Sequence, residues 1–214
     1  MKVNEIFKSI DGEGKRAGLP TTFIRLCGCN LRCNYCDTTY AFDSTGADDM
    51  SVDDIIESCI NIDIRSITIT GGEPLVHPAI HTLLATMDRS DRFDINVETN
   101  GTVDPSIYHH LKNVWFTVDY KCPSSGEEAR MIDKAFTSLR DKDVLKFVVG
   151  SDEDLNRAAE IIHRYNPSSQ IYLSPVFGYE PKHIVEFMLE KHLYNCKVQL
   201  QMHKIIWDPN MRGV

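Results

Sequence analysis

Short apolar runs alternate with amphipathic stretches along most of the chain. Runs rich in β-branched residues, such as ITIT at 67–70 and KFVV at 146–149, predict strands near 66–70, 94–98, 114–119, 144–149, 170–174 and 197–201. The longer stretches between them predict helices over 51–61, 78–88, 126–139, 152–165 and 181–193. Their starts carry helix signals. Ser51, three residues before Asp54, imitates a capping box; Asp152 opens an acidic first turn with Glu153 and Asp154; Pro181 suits a first helical turn. Two more strands, near 3–7 and 21–27, precede the first helix, and the segment SIDGEGKRAGLP between them reads as an exposed loop. Strand–helix–strand alternation implies parallel pairing through right-handed crossovers, hence an α/β fold. No repeat and no Pro/Ser-rich linker divides residues 1–214, so the sequence predicts one domain.

Such a sheet carries its working loops at the carboxyl ends of its strands. The unusual motifs do follow the predicted strands: CGCNLRCNYCDTTY after 21–27, GGEP after ITIT, ETNG after DINV, DYKCP after WFTV and SPVFG after QIYL.

Composition narrows the function classes. The chain is 42% hydrophobic and 25% charged, enough apolar surface for a core. With 23 Lys and Arg against 31 Asp and Glu the net charge is −8, which argues against nucleic-acid binding by phosphate neutralisation and favours a small-molecule substrate. No apolar run approaches the roughly 18 residues of a membrane span, and the start MKVNEIFKSIDGEGK lacks the apolar core of a signal peptide. There are seven cysteines, an odd number, with four between 27 and 36; they suit reduced, cytoplasmic thiols around a metal better than a disulfide framework.

Cys29, Cys33 and Cys36 stand in a C-x3-C-x2-C pattern. Thiolates are ligands for zinc and for iron–sulfur clusters, and spacing leaves both open. Three thiolates on one loop can hold three corners of a cubane and leave one iron for a small molecule. Alternatively, Cys27 completes a closed four-cysteine zinc site of structural kind. Against this, paired C-x2-C knuckles are missing and Cys27 lies awkwardly close to Cys29. Cys59 reads as a small buried hydrophobe, Cys122 sits in a motif loop and Cys196 is isolated. His77 with His81, and His109 beside His110, lack a third ligand and make a weak zinc site.

The C-x3-C-x2-C pattern, with Tyr35 before its last cysteine and GGEP after the next strand, resembles the radical S-adenosylmethionine (SAM) superfamily. EIFKSIDGEG, CDTTYAF, VETNG, DYKCPSSG and the tail LQMHKIIWDPNMRGV narrow the resemblance, over nearly the whole chain, to the 7-carboxy-7-deazaguanine synthase family. Asp11 departs from it, standing where that family commonly carries Gln. The implied fold is an abbreviated, partial (β/α) barrel with a mostly parallel sheet. Length agrees, because residues 112–114 leave little room for a full crossover helix.

The resemblance implies a [4Fe–4S] cluster on Cys29, Cys33 and Cys36 whose open iron is chelated by SAM, and a Mg²⁺ ion reached by Thr38. It implies a lyase that contracts 6-carboxy-5,6,7,8-tetrahydropterin to 7-carboxy-7-deazaguanine with loss of ammonia. Hydrogen is abstracted from C6 by a 5′-deoxyadenosyl radical and later returned, so SAM is regenerated. SAM contacts are implied at Tyr35, Asp37, Gly72, Asp119, Tyr120, Lys121, Ser174 and Pro175. Substrate contacts are implied at Ile10, Asp11, Gly12, Arg25 and Thr70, with Glu13 close by. A flavodoxin- or ferredoxin-like electron donor and a homodimer come with the family. Without the resemblance, Thr38 reads as a turn hydroxyl, Arg25 as a surface arginine and Gly71-Gly72 as a strand-to-helix turn. Glu73 stands beside that turn, and Glu98, Thr99 and Asn100 either face the same cavity or form a turn. His203, Lys204 and Trp207 either close the pocket or pack as a terminal segment. Two competing functions remain: a glycyl-radical-enzyme activase, to which IDGEG and HKIIW are foreign, and a zinc-stabilised binding module.

Overall fold

The computed structural model describes residues 1–209 and 211–214. The chain opens with an antiparallel pair, β1 (Lys2–Ile10) and β2 (Pro20–Leu26), and a short β3 (Asp48–Asp49) pairs along the outer side of β1. Then β4 (Ser66–Gly71) lies parallel to β2, followed in parallel by β5 (Asp94–Thr99), β6 (Val114–Tyr120), β7 (Val144–Val149), β8 (Gln170–Pro175) and β9 (Cys196–Val198). Among the described residues these nine strands form one sheet in the order β3-β1-β2-β4-β5-β6-β7-β8-β9, and β9 does not pair back to β1. The helices are α1 (Val52–Ile62), α2 (Ile80–Arg89), α3 (Asp133–Thr137), α4 (Asp152–Tyr165), α5 (Pro181–Glu190) and, beyond β9, α6 (Met202–Ile206).

Side chains alternate across the strands with period two. Ile67 and Ile69, Ile95 and Val97, Phe116 and Val118, Leu145 and Phe147, Ile171 and Leu173 are buried in one core with Leu83, Met87, Ala158 and Ile161 of the helices. The opposite parity carries Thr70, Glu98, Asp119 and Lys146, which line a cavity on the concave face. Nearer the amino ends the same face holds a small apolar cluster of Trp115, Val144 and Tyr172. A one-residue slip of any strand would exchange the two sets, so burial of the aliphatic set, roughly 1.5–3 kcal/mol per side chain, holds the register.

The helix signals at Ser51 form a true capping box: Ser51 Oγ accepts from Asp54 N at 3.1 Å, and Ser51 N donates to Asp54 Oδ2 at 2.9 Å. For α4 the cap is Ser151, whose hydroxyl accepts from Asp154 N, and Asp152 is the first helical residue. The predicted helix over 126–139 breaks into 3-10 turns and the short α3. Gly126 is left-handed (φ 76°), Ile132 N donates to Gly101 O, and Lys121 N donates to Met131 Sδ. Ile132 N is thus drawn to the segment after β5, while Arg130 N and Met131 N close tight turns on Glu127 O and Glu128 O instead of a continuous helical ladder. Between β5 and β6 the crossover is a single 3-10 turn, Pro105–Tyr108, as the short spacing predicts.

The segment between β1 and β2 is not the exposed loop the sequence suggested. Because β1 runs antiparallel to β2, this segment lies at the amino ends of the parallel strands, opposite the cysteine loop. Arg16 is buried there. Its guanidinium donates to Asp11 Oδ2 (2.9 Å), Ile67 O (2.9 Å), Thr68 Oγ1 (2.7 Å) and Asp94 O (3.0 Å), which ties the segment under β4 and β5.

Candidate active site

A cavity of about 880 Å³ opens at the carboxyl ends of the parallel strands. Cys29, Cys33 and Cys36 line it together with Tyr35, Asp37 and Thr38; Arg25, Thr70, Gly72, Asp119 and Lys121 form its wall; Ile10, Asp11, Gly12 and Glu13 reach it from the far end. The gap between β9 and β1 is stopped by α6 and the tail. Met202 N donates to Gly12 O at 3.1 Å, Gln199 N to Leu173 O at 3.0 Å, and Arg212 Nη2 to Asn4 Oδ1 at 2.8 Å. His203, Lys204, Met211 and Val214 line the cavity, whereas Trp207 does not. A Cβ at position 12 would lie 2.3 Å from His203 Nδ1, so glycine lets α6 pack here with the His203 ring in its place.

The GGEP turn docks the cysteine loop onto β4. Gly72 N donates to Leu26 O (3.0 Å) and Glu73 N to Gly28 O (2.7 Å). A Cβ on Gly72 would lie 2.0 Å from Gly28 O, so glycine is the residue that lets the two backbones touch. Glu73 turns into the protein and accepts from Thr99 Oγ1 (2.6 Å), Asn100 N (2.6 Å) and Leu75 N (2.9 Å). It therefore joins the ends of β4 and β5. Burial pushes its carboxyl up from 4.5 to about 6 despite those three donors. The folded state thus holds a proton that the unfolded state has lost between these values, and stability falls as pH rises through that window. The stability difference between wild type and Glu73→Gln is expected to change by about 2 kcal/mol across it, read from urea unfolding at several pH values. A pH-independent difference would contradict the buried, protonating carboxyl.

Ion pairs organise the rest of the wall. Lys204 Nζ lies 2.8 Å from Asp37 Oδ2, and Thr38 Oγ1 donates to Asp37 Oδ1 at 3.0 Å. Burial would raise the Asp37 carboxyl, but the Lys204 ammonium holds it below the usual range. Lys121 Nζ lies 2.8 Å from Asp119 Oδ2. Lys146 Nζ lies 2.9 Å from Glu13 Oε2 and 3.2 Å from Asp119 Oδ1. Arg25 spends its Nε on Glu5 Oε1 (2.7 Å), which also accepts from Tyr40 Oη (3.2 Å).

Three expected SAM contacts fall elsewhere. Tyr120 belongs to the outward parity: its ring packs on Phe136 and Phe147, and its hydroxyl donates to Glu128 Oε1 at 3.0 Å. Ser174 and Pro175 are buried beside the cavity, but Val148, Val176 and Phe177 form its wall there. Asp11 touches the cavity, yet its carboxylate is engaged with Arg16, Thr21 and Thr68, so it serves to lock the segment rather than to meet a ligand. Lys146 and Gln199 were not singled out in the sequence. Lys146 had a signal, a lone charge inside the apolar strand VLKFVV.

The donor set fits an iron–sulfur cluster. The cysteines of the described chain are all free thiols. Cys29 Sγ accepts from Leu31 N at 3.5 Å and from Asn100 Nδ2 at 3.9 Å, and such N–H···S bonds tune cluster potentials. Burial pushes the Cys33 and Cys36 thiols up, and the neighbouring thiols add to the effect. Among the described residues no three His, Cys, Asp or Glu side chains gather tightly enough for one ion. Cys29, Cys33 and Cys36 nevertheless line one cavity, and a cubane takes thiolates of this kind with each bound to a different iron. Cys27 lies outside the cavity lining, and Cys59 and Cys122 are wholly buried. The Tyr35 hydroxyl, beside the thiols, is buried without a hydrogen-bond partner among the described residues.

The partly open parallel sheet with three thiols over its carboxyl end defines a class. Residues 23–188 match the radical SAM superfamily, and the chain belongs to it. Within that class it belongs to the 7-carboxy-7-deazaguanine synthase family. A protein of that name from Clostridium acetobutylicum is 44% identical, over 100% of this chain and 99% of its own length. Another, from Methanospirillum hungatei, is 37% identical over 98% of this chain and 86% of its own. The fold is similar to the crystal structure of QueE from Escherichia coli, with a TM-score of 0.75 and 24% identity, covering 94% of each chain. These relatives do not favour the glycyl-radical-enzyme activase reading.

Proposed function

We propose that residues 1–214 act as one domain that converts 6-carboxy-5,6,7,8-tetrahydropterin to 7-carboxy-7-deazaguanine with loss of ammonia, in 7-deazapurine biosynthesis. The observation that carries this is a single cavity lined both by the three cluster-loop thiols and by Arg25, Glu13 and Thr70. Cys29, Cys33 and Cys36 would hold the cluster, which with SAM would supply reversible hydrogen-atom abstraction at C6 of the substrate.

The chain's own residues bind, orient and exclude water. Arg25 has its terminal guanidinium nitrogens available for the substrate carboxylate, because Glu5 holds it through Nε. Ile10, Gly12 and Thr70 line the cavity where they would meet the substrate, and Tyr35, Asp37, Asp119 and Lys121 line it where they would meet SAM. The Gly72 N–H is committed to Leu26 O, which leaves its carbonyl to accept from the SAM ammonium. Thr38 offers a hydroxyl to Mg²⁺, a hard ion that keeps positions for substrate oxygen and water. Lys204 steadies the adjoining Asp37, and the tail residues Met211 and Val214 cover the open side. The reading brings with it a flavodoxin- or ferredoxin-like electron donor, a homodimeric assembly and a cytoplasmic location. Among the described residues no helix is long and apolar enough to cross a membrane.

The test is product formation. Anaerobically reconstituted, reduced enzyme with SAM, Mg²⁺ and the carboxy-tetrahydropterin should yield the deazaguanine chromophore without net SAM consumption; its absence overturns the reading. In the same assay Thr38→Ala should lose most of the stimulation by Mg²⁺ while SAM affinity stays at the wild-type level. An unchanged magnesium response would reject the role given to Thr38.

A further inference from the structure

Lys146 stands in the middle of β7 on the concave face, 7% exposed, among carboxylates from three different parts of the chain. Its ammonium lies 2.9 Å from Glu13 Oε2, on the segment between β1 and β2, and 3.2 Å from Asp119 Oδ1, at the end of β6. Glu98 of β5 places a third carboxyl nearby, one that burial pushes up. Desolvating an ammonium is costly, so its place here requires that it do something for the carboxylates around it.

The two ion pairs are not equivalent. Asp119 has a second cation, since Lys121 Nζ lies 2.8 Å from its other oxygen. Among the described residues Glu13 has no second cation within salt-bridge distance. Its remaining donor is the neutral amide of Gln199, whose Nε2 reaches the same Oε2 at 2.9 Å while its Oε1 accepts from Gly14 N at 2.6 Å. Both donors thus hold one oxygen of Glu13, and no hydrogen bond from a described residue reaches the other, in a side chain that lines the cavity. A carboxylate gripped by one oxygen and open at the other is a prepared acceptor. The pyrimidinone edge of a pterin presents an amide N–H and an exocyclic amino group side by side, donors that a carboxylate accepts.

We propose that Lys146 is a positioning residue for the substrate: its ammonium holds Glu13 in place so that the free carboxylate oxygen receives the donor edge of the bicyclic ring. The inference deepens the pterin-lyase reading and rests on it. Removing Lys146 leaves Glu13 with only an amide partner, whereas Asp119 keeps Lys121. The loss is therefore felt by the pterin and not by SAM.

The experiment titrates cluster-loaded, unreduced enzyme with 6-carboxypterin, a fluorescent oxidised relative of the substrate, and separately with SAM. Lys146→Met is expected to weaken pterin binding on the order of tenfold to a hundredfold, as for loss of a hydrogen bond to a charged group. SAM affinity should stay within about threefold, the range of independent sites. In turnover the KM for the pterin should rise more than kcat falls, and Lys146→Arg should recover most of the affinity. Glu13→Gln approaches the same pair from its other side and should give the same pterin-specific loss, which keeps the test decisive if Lys146→Met does not fold. Adding Lys146→Met to Glu13→Gln should cost little more. Equal loss of both ligands, unaltered pterin affinity, or fully additive losses would overturn the role of Lys146. A wild-type enzyme that neither binds the pterin nor makes the deazaguanine overturns the functional reading itself.

Discussion

Cys33→Ala is expected to leave a folded protein that neither assembles the cluster nor turns over. Cys33 lies on an irregular loop, and the hydrogen bond it makes to the next turn is through its backbone, with Cys36 N donating to Cys33 O at 3.2 Å. Trimming a partly exposed side chain of this kind changes folding stability by about 0.5 kcal/mol or less. The cluster, however, would be held at two corners instead of three. Iron and sulfide content and the broad visible absorption should collapse and activity should fall to background, while the unfolding temperature of the metal-free protein stays at the wild-type value. A fully iron-loaded, active variant would remove Cys33 from the ligand set.

Gly72→Ala should fail in a different way, losing stability and cluster together. The new methyl would meet Gly28 O at 2.0 Å and Cys29 N at 2.9 Å, and both are backbone atoms that cannot rotate aside. Relief requires the cysteine loop to lift off β4, which strains the bonds from Gly72 N to Leu26 O and from Glu73 N to Gly28 O. Overpacking of this kind costs about 3 kcal/mol. The displaced backbone carries Cys29, so iron incorporation should drop in the same variant. Wild-type unfolding temperature with full iron content would show that the close approach of the two backbones is dispensable.

Much of the fold was legible because local pattern and burial coincide. ITIT, DINV, WFTV and VLKFVV are strands whose apolar parity faces the helices, and Ser51 with Asp54 caps α1 as their spacing implied. Where pattern and structure part, long-range contacts have outweighed local preference. Residues 126–139 carry helix formers, but the Ile132 backbone N–H goes to Gly101 O and the Met131 side chain accepts from Lys121 N, and only α3 remains helical. SIDGEGKRAGLP looks exposed because it is rich in glycine and charge, yet Arg16 finds four acceptors beneath the sheet. Tyr120 follows Asp119 by one residue and so faces the opposite side of β6. Motif adjacency in sequence does not respect strand parity, and that is why a tripeptide assigned whole to a ligand delivered two of its three residues to the cavity.

By itself the sequence determined the succession of the parallel strands, the three cysteines that can bind a cluster, and a family resemblance strong enough to imply the chemistry. All of these reside in spacing along the chain, which folding does not alter. What the tertiary structure alone decided is which charges meet. Glu13 and Lys146 are separated by most of the chain and joined at 2.9 Å; Asp37 and Lys204 come together at 2.8 Å; Asp11 turns from a ligand candidate into the partner of buried Arg16. The physical reason is that a charge leaves water only where an opposite charge or hydrogen-bond partner awaits it, and that partner is chosen by how the strands are laid side by side.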